Sequence, residues 1–104
     1  MSTKVDCKRL YKLLQETIKE MQFVLDNREV YEDNFSDLPN RLFHVLDKAE
    51  DNLNSLKEYI NSEEVLDIVG VTNIVYGYVD YLKDVKHQLE IFGLYPEKKA
   101  TKSI

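Results

Sequence analysis

A chain of 104 residues with 43% hydrophobic and 32% charged content suits one domain with a modest core and excludes a disordered polymer. Three glycines and two prolines are too few for the turns of an all-β fold, so long helices are expected. The net charge of −5 argues against a general binder of the nucleic-acid backbone, no apolar run reaches transmembrane length, and the lone Cys7 rules out an internal disulfide.

The opening MSTKVDCKRLYK has no apolar signal core. Together with the free cysteine it sets the expectation of a cytoplasmic chain. From Cys7 the apolar residues recur at Leu10, Leu14, Ile18, Met21 and Leu25, in steps of three and four, which is one face of a helix. Leu13, Thr17 and Val24 widen that stripe. Cys7 lies on it and reads as a small core residue rather than a reactive thiol.

The segment 26–37, DNREVYEDNFSD, breaks the pattern. It sets Asp26, Glu29, Glu32, Asp33 and Asp37 against Arg28 alone, with Val30, Tyr31 and Phe35 as apolar anchors. The first helix is expected over about 3–29, fraying toward Glu32, with a loop beyond it pinned by Phe35. A second helix follows over 38–60, with Pro39 in its first turn. Its stripe is Leu38, Leu42, Val45, Leu46, Ala49, Leu53, Leu56 and Ile60, and Lys48, Glu50, Asp51, Lys57 and Glu58 form a solvated face.

Asn61 with Glu64 offers a capping box for a third helix over 63–92, with Ser62 as another cap. Its end is written by Gly93, Leu94 and Pro96, and 96–104 reads as a flexible polar tail. Within this helix lies IVGVTNIVYGYVDYL, residues 68–82, whose Val, Ile and Tyr content favours a strand. The stripe Val65, Ile68, Thr72, Val75, Val79, Leu82 and Leu89 keeps helical spacing, and no turn signal separates Glu64 from Gly93. Helix is therefore expected. The stretch is apolar nearly all round, so it should be covered on more than one side. Gly70 and Gly77 are seven residues apart and share one side of it.

The expected fold is all-α: an elongated, antiparallel three-helix bundle spanning 1–95, or four helices if the third kinks at Gly70 or Gly77. An up-down-up order would set Lys4, Lys8, Arg9 and Lys12 near Glu63, Glu64 and Asp67. It would also bring the acidic 26–37 segment toward Lys98, Lys99 and Lys102.

No phosphate-cradling loop, nucleophile elbow or zinc motif is present. His44 and His87 with one cysteine make no structural zinc site, and 26–37 lacks the ligand order of a calcium loop. No metal and no cofactor is expected, and an enzyme is disfavoured. The reading is a small acidic interaction protein of inhibitor, antitoxin, immunity or adaptor type. It would bind another protein and form a homodimer through its third helix. The partner or dimer face is expected at Gly70, Ile74, Tyr76, Gly77, Tyr78 and Tyr81. A second, acidic binding segment is expected at Glu29, Tyr31, Glu32, Asp33 and Phe35. The alternative is an oligomeric ligand-binding protein with a pocket lined by these tyrosines and glycines.

Overall fold

The computed structural model describes residues 3–62 and 68–97. Three α-helices account for most of them: α1 (Thr3–Asp26), α2 (Leu38–Ser62) and α3 (Ile68–Ile91), with no strand among the described residues. The strand-prone stretch is helical from Ile68 onward, and α3 runs unbroken past both glycines rather than dividing there. α2 runs two residues past its expected end at 60, so Asn61 and Ser62, the expected caps of the third helix, are helical residues of α2 instead. Glu64, the start of the third helix at 63–67 and the tail lysines lie outside the described residues, as do the charge pairings drawn from them.

α1 and α2 bury the stripes read from their spacing, and α3 buries the part of its stripe at Val75, Leu82 and Leu89, with Thr72 and Val79 half-buried. On α1, Cys7, Leu10, Leu14, Thr17, Ile18, Met21, Val24 and Leu25 are buried. On α2, Leu38, Leu42, Leu46, Ala49 and Leu56 are buried, with Val45, Leu53 and Ile60 half-buried beside them. On α3, Val75, Leu82, Val85 and Leu89 are buried. These residues form one hydrophobic cluster. Among apolar side chains, removal from water is the main favourable contribution to folding.

α1 stops three residues earlier than its expected end at 29. Asn27 turns the chain: its side-chain amide donates to the Phe23 carbonyl at 2.8 Å. Its backbone N–H is shared between the Phe23 and Val24 carbonyls at 3.2 Å each. The backbone then tightens into a 3-10 turn, Arg28–Val30. Tyr31 follows, and its carbonyl accepts from the N–H groups of Asn34 and Phe35 at 2.9 and 3.0 Å. A continued α-helix would leave the turn at Tyr31 unmade. The tighter one sends its ring inward.

The end of α3 follows its sequence signal. Gly93 adopts φ 69°, the left-handed conformation that glycine takes without a Cβ penalty. The Leu94 N–H donates to the Leu89 carbonyl at 2.7 Å and the Gly93 N–H to the Glu90 carbonyl at 3.0 Å, the two bonds of a Schellman cap. Tyr95 then lies against α1, its ring 6.4 Å from that of Phe23, with its hydroxyl donating to Glu20. Lys86 lies 3.8 Å from the same carboxylate and 5.5 Å from the Tyr95 ring centre. Pro96, assigned to the tail by sequence, is buried.

α1 is the hub. It packs against both α2 and α3, whereas α2 and α3 approach each other sparsely. α3, apolar nearly all round, keeps part of its apolar surface in water, at Val69, Ile74 and Tyr76.

Candidate interaction surfaces

The six residues expected on one face of α3 divide between two. A helix turns about 100° per residue, so Tyr76 and Tyr78 point about 200° apart. Tyr78 faces α2 and is half-buried, and its hydroxyl accepts a hydrogen bond from the Asn52 side-chain amide at 3.1 Å. Burial pushes its phenol up from the usual value. Tyr81 also turns inward, beside Asn40, Arg41, His44 and Val45 of α2. Its hydroxyl is buried with no hydrogen-bond partner among the described residues, and burial raises its pKa as well. Gly70 is half-buried.

Ile74, Tyr76 and Gly77 face outward. Ile74 is 46% exposed and Tyr76 50%, and one turn earlier Val69 is 67% exposed. A Cβ built on Gly77 would meet no atom within 4 Å. Among the described residues, this glycine therefore accommodates no close neighbour. Farther along α3 the outer face becomes charged, with Asp80, Lys83, Asp84 and His87 exposed. The apolar patch around Gly77 is thus bounded by charge, and exposed apolar side chains return only at the end of the helix, at Ile91 (66%) and the following Phe92 (57%). At the margin of the patch Val69, Asn73 and Tyr76 line a shallow groove with Asp6, Arg9 and Leu10 of α1, of about 370 Å³. Tyr76 and Tyr81 line different grooves, so the tyrosines do not converge on one pocket.

The acidic segment also divides. Glu29, Glu32 and Asp33 are exposed. Tyr31 is 0% exposed and belongs to the core, not to the surface that the sequence suggested. Phe35 is half-buried and stacks on Phe92 of the α3 cap, with ring centres 5.1 Å apart. The exposed apolar groups near these acids are others: Val30, and Phe43 at 64%. Phe43 went unnoticed in the sequence because it sits beside the Leu42 stripe. An apolar residue about 100° off a stripe is itself the available signal.

Other reactive groups are unremarkable in placement. Cys7 is buried, and desolvation, then the neighbouring Asp6 charge, raises its pKa, so the thiol stays protonated at neutral pH. His44 and His87 are exposed. Among the described residues, no group of three or more His, Cys, Asp or Glu could hold a metal ion, and no helix is long and apolar enough to cross a membrane. Comparison with protein-family models, with curated proteins and with solved structures finds no match for this chain.

Proposed function

We propose that this chain is a small acidic helical protein that acts by binding a macromolecular partner and that associates with itself through the outer face of α3. One observation carries the reading: Gly77 stands in mid-helix over open space, between half-exposed Ile74 and Tyr76. A glycine inside a helix costs about 1 kcal/mol relative to alanine. No neighbour among the described residues offsets that cost. A second helix lying across Gly77 would, by close approach and by covering the exposed isoleucine and tyrosine.

In this reading the protomer is an elongated antiparallel bundle. Support comes from the contacts of Phe23 with Tyr95 at one end of α1 and α3, and from the groove shared by Asp6, Arg9 and Val69 near the other. The extents of 46 × 34 × 19 Å agree with an elongated form. The buried, protonated Cys7 suits a reducing compartment such as the cytoplasm. The ligand-binding alternative has less support, because Tyr76 lies on the opposite side of α3 from Tyr78 and Tyr81.

Light scattering tests the self-association. The wild type is expected at twice the mass of one chain, and Gly77→Leu, whose Cβ would meet no described atom within 4 Å in the protomer, at a lower mass with unchanged helicity. A wild type found as a monomer at all concentrations measured refutes this part of the reading.

A further inference from the structure

We propose that the groove between the end of α1 and the start of α2 docks a basic, lysine- or arginine-rich segment of a partner protein, one that carries an apolar side chain to set against Phe43. The proposal rests on the reading of this chain as an interaction protein, and it adds where a foreign partner is held and by what chemistry.

Leu25, Pro39 and Phe43 supply the apolar wall of this groove, and Asp26, Arg28 and Asn40 its polar margin, around about 390 Å³. Phe43 is 64% exposed although it stands in the second turn of a core-forming helix. Neither α1 nor the connection after it covers the ring. A partner that does so removes a large apolar surface from water at a concave site, where such anchors are most effective.

The charge around the ring selects the occupant. Asp47 and Glu50 follow Phe43 by four and seven residues, so they share its face of α2, and both are exposed. Asp26 lies in the groove, and exposed Glu29 follows Arg28 in the chain. Of the cations, Arg28 lines the groove, exposed Lys19 lies one turn before Gln22 on α1, and exposed Lys57 shares the Phe43 face two turns beyond Glu50. Arg28 is partly engaged, with Nη1 donating to the Leu25 carbonyl at 3.1 Å. Within two turns of the uncovered ring along its face of α2 the charged groups are the acids Asp47 and Glu50, and the groove itself adds Asp26 against the engaged Arg28. Val30, 44% exposed, with Glu32 and Asp33 after it, continues the same combination along the connection. Such a surface attracts a cationic segment at long range and repels an anionic one.

The test uses two labelled probes followed by fluorescence anisotropy: a short amphipathic helix of lysine and leucine, and its counterpart with glutamate in place of lysine. The lysine probe is expected to bind the full chain, more weakly as salt is added. Its affinity should fall about tenfold or more in Phe43→Ala, and at least as much in the Asp47→Lys/Glu50→Lys double variant. The glutamate probe should not bind. Equal binding of the two probes, or a Phe43→Ala chain that binds the lysine probe as tightly as wild type, overturns the proposal. Light scattering of the same variants separates the two surfaces. A Phe43→Ala chain that loses mass would make the groove a contact between copies and overturn the foreign partner. A monomeric wild type that still binds the lysine probe through Phe43 removes self-association and supports the groove.

Discussion

Tyr31 is the largest of the fully buried side chains, and its hydroxyl has no hydrogen-bond partner among the described residues. Burial is the first cause that pushes its phenol up to about 12, with Arg28 working against it and Glu32 adding to it. An orphaned buried hydroxyl costs more than a removed one. Tyr31→Phe is therefore expected to match the wild type at neutral pH or to exceed it by about 1 kcal/mol. The sign of the alkaline effect follows from the direction of the shift. Below pH 10.0 the phenol is neutral in both states; above it the unfolded chain loses the proton first, so stability falls as pH rises toward about 12. The phenylalanine variant lacks that loss, and its advantage should grow by up to roughly 3 kcal/mol across the window. Urea denaturation of both chains, at neutral pH and within that window, measures it; an advantage that stays constant with pH contradicts the assignment. In the sequence Tyr31 looked like a surface anchor because acids surround it. The turn at Asn27 and Arg28, which decides where the ring points, is visible only in three dimensions.

At the level of the element, α3 and the cap that follows it carry two glycines, Gly77 and Gly93, whose replacement should have opposite signs. Gly93 holds φ 69°, where an alanine methyl clashes with its own backbone, so Gly93→Ala should destabilise by about 1 kcal/mol. Gly77 lies within the helix and over open space, so Gly77→Ala should stabilise the dissociated chain by up to about 1 kcal/mol. Urea melts at low protein concentration, where association does not contribute, compare the two; a loss of stability in Gly77→Ala would mean that the glycine has an intramolecular role after all. The cap at Gly93 was legible because Gly, Leu and Pro stand in the order that a helix end requires. The surroundings of Gly77 were not, because a glycine that allows close packing and one that faces water are the same letter.

For the whole molecule, the arrangement around α1 sets where the fold is most sensitive. Leu14 is 0% exposed on the helix that packs against both others. Leu53 is half-buried on α2. Leu14→Ala should cost about 3–5 kcal/mol, the upper part of the range for a leucine lost from a core, and Leu53→Ala about 2 kcal/mol or less. For a domain of ordinary stability the first figure is a large share of the total. Equilibrium urea denaturation measures both, and equal losses at the two sites would argue against α1 as the hub.

The sequence by itself determined the fold class, three helices and the face that each one buries. Apolar residues in steps of three and four have only one way to leave water together, and Asn27 aside, the helix ends carry local signals. Only the tertiary structure decided which helix stands between the others and which apolar groups remain outside. Spacing assigns a residue to a side of its own helix, but whether a neighbour covers that side depends on how far apart the axes lie. Tyr31 is thus enclosed and Tyr78 and Tyr81 half-buried, while Phe43, Ile74 and Tyr76 stay in water.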